Sequence, residues 1–287
     1  MSNRRSPPSS ARVLTQWVDA FARERGLPPK RVRDWISFMI FGGQLERMSS
    51  AAEGPRFTIK GGVALEMRLP SKARATKDID LVVDELGNGD PAAALRSALA
   101  GTYQGFTFRV KGEAYAMPND SVRVEVALDY EGRSWGTIQV DLSPREGDRT
   151  EVEMVEPLGL DPFGLDTPDV LPCLSLRYHV AQKIHAMTEP SVDDETPNDR
   201  FRDLVGLLLM RELTTDLGGV RAACIEVFAI RRKHEWPPVL DPPAFWEEPF
   251  TALAEEVELP VRGSLGEAVQ EVQVFIEAID EAESAAQ

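Results

Sequence analysis

Apolar residues recur near the start of the chain at spacings of three and four. Leu14, Trp17, Val18 and Phe21 share one face of a helix that begins after Ser10 and stops at Gly26. Pro28-Pro29 opens a second helix, with Val32, Trp35, Ile36, Met39 and Ile40 on one face, running toward Met48. The polar, Pro/Ser-rich residues 1–9 read as a disordered tail. The period then changes. Residues 56–60 (RFTIK) read as a short strand, Gly61-Gly62 breaks it, and 63–68 reads as a short helix. Residues 78–84 (DIDLVVD) form a strand with an apolar interior, and 90–100 are Ala/Leu-rich and helical. Three strand-like runs, 106–116, 121–130 and 135–142, are punctuated by Gly, Asp and Asn, as in an antiparallel meander. Residues 152–157 (VEMVEP) suit an edge strand. Beyond Pro172 the pattern is helical at 174–188, 200–212, 218–231 and 263–284, with a polar loop at 189–199 and a Pro-rich irregular connection at 236–249. The pattern predicts an α+β chain. A mixed sheet with flanking helices occupies residues 10–157, and a mostly helical half occupies 158–287.

Composition narrows this picture. The 287 residues suffice for one large domain or two ordinary ones, and 43% of them are hydrophobic, enough for a real core. No run of about 18 apolar residues occurs, so no membrane span is expected. The charged N-terminus is followed by no apolar segment of the secretory kind. The two cysteines, Cys173 and Cys224, speak against a disulfide framework and fit a reducing, cytoplasmic setting, and neither has a Cys or His partner at zinc spacing. The net charge of −15 opposes indiscriminate nucleic-acid binding. Basic residues nevertheless gather at Lys30, Arg31 and Arg33, at Arg68, Lys72, Arg74 and Lys77, and at Arg231, Arg232 and Lys233, while acid concentrates in 246–287. Each cluster reads either as a solvated helix face or as a local basic surface.

Candidate chemistry centres on Asp78 and Asp80. Residues i and i+2 of a strand point to one side. Two carboxylates there repel each other, and a divalent cation relieves the repulsion. Mg2+ takes oxygen ligands and commonly shares one or two carboxylates with substrate phosphates. A lone D-x-D is weak evidence. Its place at the head of an apolar strand makes it harder to read as a solvated face. Gly61-Gly62, at a strand-to-helix turn, lets backbone approach an anion at a helix N-terminus, with Lys60 and Arg74 as nearby cations. Taken alone, Gly-Gly is a turn. The order of strand, Gly-Gly, short helix and a strand opening on D-x-D is what carries information.

With these residues in place, F-T-I-K-G-G-V-A-L-E-M-R-L … R-A-T-K-D-I-D-L resembles the signature K-G-G-x-x-L … R-x-S/T-x-D-I-D-L of the AbiEii/AbiGii toxin family of nucleotidyltransferases, the MenT-like toxins of type IV toxin–antitoxin systems. The matching positions are Lys60, Gly61, Gly62, Leu65, Arg74, Thr76, Asp78, Ile79, Asp80 and Leu81. Further matches are Asp141 on a later strand, Lys183 in Q-K-I-H-A-M, and Arg200 and Asp203 in R-F-R-D-L-V-G-L. Arg202 stands where the family often has Lys, and Gly206 where a second acid is common. The resemblance covers roughly residues 56–210.

The resemblance implies a nucleotidyltransferase-fold sheet and transfer of NMP from an NTP to an RNA, the tRNA 3′ end in characterised relatives, which blocks translation. It implies Mg2+, with Mn2+ as a substitute, on Asp78, Asp80 and Asp141. It further implies NTP contacts from Lys60, Gly61, Gly62, Arg74 and Thr76, catalytic roles for Lys183 and Asp203, and restraint by a cognate antitoxin. Bland alternatives stay open: an interhelix salt bridge for Lys183 and Asp203, a solvent-facing strand residue for Asp141, a strand cap for Thr76 and a structural role for His185. The alternative acceptor is a protein or a small molecule such as an antibiotic. The chain could also be a catalytically silent nucleotide-binding protein.

Overall fold

A computed structural model describes residues 5–49, 56–70, 76–83, 90–117, 120–146, 151–191, 197–257, 259 and 264–283. Helix α1 (Ala11–Arg25) starts where the Ser10 hydroxyl accepts from the Val13 N–H and ends at Gly26, whose φ of +65° costs a Cβ-bearing residue more. Helix α2 (Pro29–Arg47) opens on a proline that needs no amide donor there. Their apolar faces, including Leu14, Val18, Val32, Ile36 and Ile40, are buried and form one core with a face of the sheet. Residues 5–9 depart from the expected disordered tail. Pro8 is buried, its carbonyl accepts from the Tyr130 hydroxyl at 2.6 Å, and Arg5 lies over the Trp17 ring.

The sheet contains β1 (Phe57–Lys60), β2 (Asp78–Val83), β3 (Thr102–Tyr103), β4 (Phe106–Ala116), β5 (Val122–Tyr130), β6 (Arg133–Pro144), β7 (Val152–Val155) and β8 (Leu171–Leu174), in the order β3-β4-β5-β6-β2-β1-β8-β7. Strands β4 to β6 form the expected antiparallel meander, and the two-residue β3, which no pattern announced, pairs antiparallel with β4. β2 runs parallel to β6 and antiparallel to β1, and β1 is parallel to β8. Helices α3 (Gly61–Arg68) and α4 (Pro91–Ala98) complete this part. Alternation sorts the strands into two faces. Ile79, Leu81, Val124, Val126, Val140 and Leu142 enter the core, and Asp78, Asp80, Arg123, Gln139 and Asp141 line the other side. β8 escapes the sequence pattern because four residues are too few for alternation to show and Pro172 reads as a breaker.

Two compact units result: Met1–Pro70 with Ala75–Arg145 and Val152–Cys173, and Ser71–Arg74 with Glu146–Glu151 and Leu174–Gln287. The pattern suggested a division after residue 157. Leu158, Leu160, Phe163, Leu165 and Leu171 instead belong to the core of the first unit, because their side chains are buried there. In the second unit, α5 (Leu176–Thr188) packs on α6 (Phe201–Arg211) and α7 (Leu217–Arg231), and α9 (Leu265–Glu281) packs on α6 and α7. A further helix, α8 (Glu247–Glu256), begins within the segment expected to be irregular. It follows Trp246, which is fully buried and donates its indole N–H to the Asn198 carbonyl at 2.7 Å. No described helix is long and apolar enough to cross a membrane.

Candidate active site

Strand register assembles the site. Tyr115, Arg123, Asp141, Asp80 and Lys60 stand opposite one another on the adjacent strands β4, β5, β6, β2 and β1. Opposed residues share a face, and strands are spaced at about 4.8 Å, so these side chains form one row across the sheet. A second row, Lys111, Glu125, Gln139 and Asp78, lies beside it. Asp78, Asp80 and Asp141 are thus brought together on one face, as the sequence suggested.

Each carboxylate is held differently. The buried Thr76 hydroxyl lies 3.1 Å from both the Asp78 carbonyl and Asp78 Oδ1, and its single proton serves these acceptors. Thr76 therefore supports Asp78. Asp80 seats against the start of α3. Gly61 has φ +65°, and a Cβ there would collide with Asp80 Oδ2. At Gly62 a Cβ would lie 2.7 Å from Thr76 Oγ1. The glycine pair thus lets a helix N-terminus, favourable to anions, begin against these two side chains. Lys60 stands opposite Asp80 across the strand pair.

Asp141 is committed elsewhere. Arg123 donates from Nε and Nη2 to its two carboxylate oxygens, both at 2.6 Å, and the Asp141 side chain is only 17% exposed. The Arg123 pKa is raised, chiefly by this bond, which outweighs the lowering by desolvation, and further by the charges of Asp141, Asp78 and Asp80. Arg123 was not singled out by the sequence pattern. Its signal was an outward position in the alternation V-R-V-E-V, which becomes informative only with its partner strand.

The donor set bears on the metal that the resemblance implies. Asp78 and Asp80 offer two hard oxygen donors on one face, the number Mg2+ shares with substrate phosphates, so they fit. Both Asp141 oxygens accept from the Arg123 guanidinium, which sets it apart from these two. Among the described residues no group of three His, Cys, Asp or Glu is arranged for a metal ion. Arg74 lies outside the described residues.

In the second unit, Lys183 Nζ donates to Asp203 Oδ1 at 2.6 Å, with the side chains 17% and 13% exposed. Arg200 approaches the other oxygen at 3.8 Å. Gly206, one turn after Asp203, gives the lysine stem its room, since a Cβ there would sit 3.2 Å from Lys183 Cε. His185 is fully buried on the same helix as Lys183. Burial, then the charges of Arg231, His234 and Lys233, lowers its pKa to about 3, so it is a neutral packing residue.

Most described members of the basic clusters have partners. Lys30 pairs with Asp34, Arg31 with Glu66, and Arg33 covers the Trp135 ring. Arg231 pairs with Glu146 and Lys233 with Glu189. Arg68 binds Glu153 at 2.7 Å with only 9% of its side chain exposed. Lys77 is exposed, and Lys72 lies outside the described residues.

The family profile described as "Nucleotidyl transferase AbiEii toxin, Type IV TA system" matches residues 44–280. None of the curated proteins is similar enough in sequence to mark a relative. Among solved structures, MenT4, a nucleotidyltransferase toxin from Mycobacterium tuberculosis H37Rv, aligns with 96% of this chain and 91% of its own, at 14% identity and a TM-score of 0.56, a likeness of fold. JHP933 from Helicobacter pylori aligns with 85% of this chain and 90% of its own, at 14% identity and a TM-score of 0.43.

Proposed function

The chain belongs to the AbiEii family of nucleotidyltransferase toxins, and on that premise we propose that it transfers NMP from an NTP to an RNA hydroxyl, the tRNA 3′ end foremost, and so blocks translation until a cognate antitoxin restrains it. The observation that carries this reading is the carboxylate ledge, with Asp78 held by Thr76 and Asp80 seated against Gly61. In the reaction an acceptor oxygen bonds to the α-phosphorus, the α–β P–O bond breaks, pyrophosphate leaves, and the hydroxyl proton passes to solvent. Asp78 and Asp80 would hold Mg2+ or Mn2+, which when bound neutralises phosphate charge and acidifies the acceptor hydroxyl.

The chain's own residues do the positioning. Lys60 brings positive charge beside Asp80, Thr76 orients Asp78, and Gly61-Gly62 opens the start of α3 to anionic groups. Arg74 would add a cation for the NTP phosphates. Lys183 and Asp203 enter as a catalytic pair, and Lys183→Ala is expected to abolish transfer without unfolding the protein. Incubation of the protein with tRNA, Mg2+ and each labelled NTP tests the reading, together with mass spectrometry of total tRNA after expression of wild type and Asp80→Ala. Extended tRNA with wild type alone is the expected result. No transfer from any NTP, where a control transferase labels the same tRNA, would overturn it.

A second reading keeps the chemistry and changes the acceptor to a protein or small molecule. The net charge of −15 and the pairing of the basic clusters favour it. Competition between tRNA and such acceptors for label separates the two.

A further inference from the structure

The row across the sheet places Asp80 directly beside Asp141, like charges on neighbouring strands, an arrangement that destabilises a sheet unless it is compensated. Arg123 is the compensation, opposite Asp141 on the far side. Its fork meets the carboxylate side-on through two nitrogens, both at 2.6 Å, the geometry in which a guanidinium binds a carboxylate most specifically. The three carboxylates, this arginine and Lys60 of the same row together carry a formal charge of −1, so the ledge still favours a cation. A cation drawn to Asp141 would have to displace the guanidinium or lie against it.

We propose that Asp141 is a positioning residue that anchors Arg123, and that divalent cation is held by Asp78 and Asp80 without it. The inference rests on the reading of Asp78 and Asp80 as a metal platform. It assigns Arg123 a role as the fixed cation of the ledge, set beside the place where phosphate charge would lie. A ledge built this way presents Asp78 and Asp80 beside a neutral Arg123–Asp141 ion pair, each placed by strand register.

Mn2+ alone, titrated into the full-length protein and followed by electron paramagnetic resonance, tests this without any turnover. Asp80→Asn is expected to weaken Mn2+ binding at least tenfold. Asp141→Asn is expected to leave it within about threefold of wild type. Arg123→Gln, which frees Asp141 to act as a third carboxylate, is expected to tighten it. Circular dichroism melts identify any variant that fails to fold, and the Asp141→Asn arm decides the matter even if Arg123→Gln is lost. Weakening by Asp141→Asn equal to that by Asp80→Asn would overturn the inference and leave the metal platform standing. Binding unaffected by Asp80→Asn would overturn the platform itself, and the inference with it.

Discussion

Gly61 shows how one missing methyl sets a site. Its φ of +65° is matched by Gly26, but a Cβ at Gly26 meets nothing within 4 Å, whereas at Gly61 it collides with the Asp80 carboxylate. Both alanine substitutions carry the left-handed backbone cost of about 1–2 kcal/mol. Only Gly61→Ala should also displace Asp80. Thermal melts of the two variants are expected to fall comparably, while nucleotidyl transfer drops more than tenfold in Gly61→Ala alone. Equal activities would show that Asp80 does not depend on this close approach. The glycine pair was legible in the sequence. Its reason was not, because Asp80 and Thr76 come within reach only once β2 folds beside β1.

Among elements, α5 is held on both sides. Against α6, Lys183 lies over Gly206 and pairs with Asp203. A double-mutant cycle with Lys183→Met and Asp203→Asn, read by urea unfolding, should give a coupling of about 1–3 kcal/mol, since each single change leaves a largely buried charge without its partner. A coupling near zero would mean that solvent screens the pair. Against α7, His185 packs its ring 4.8 Å from Phe228, and it lies 4.6 Å from His234 in the segment after that helix. Its folded pKa of about 3 lies below the unfolded value of about 6.5, so protonation favours the unfolded chain. This group costs nothing above about pH 6.5 and up to about 1.4 kcal/mol per pH unit between that value and its folded pKa. Urea midpoints should therefore fall between pH 7.5 and 5.0, and fall less in His185→Leu. An identical pH slope in the variant would assign the loss to other groups. In the sheet, one bulge decides the site. Tyr130 pairs with Arg133, but the register shifts past Trp135, so that Arg123 faces Asp141. Without that extra residue Arg123 would face Val140, on the core side. Trp135 is held there by its indole N–H donating to Ser37 Oγ at 2.9 Å.

For the whole molecule, charge is the governing quantity. With a net charge of −15, an RNA acceptor gains little from long-range attraction. Lys111 is neutralised by Glu125 and Arg123 by Asp141, while Lys77 and Arg109 are exposed. These two exposed cations suit about two phosphate contacts. The logarithm of tRNA affinity should then fall with the logarithm of salt concentration at a slope no steeper than about −3. Filter binding from 50 to 300 mM salt measures it. A slope near −8 would reveal a broad basic surface that the pairing of the clusters argues against.

The helices with capped, periodic faces, the meander, and the order of Gly-Gly and D-x-D are legible without any fold, because they rest on local periodicity and turn chemistry. The pairing of Asp141 with Arg123, the seat of Asp80 against Gly61 and the inclusion of residues 158–173 in the first unit were decided only by tertiary structure. Each depends on strand register or on packing between residues far apart in sequence, which a one-residue bulge or a four-residue strand can change without leaving a periodic trace.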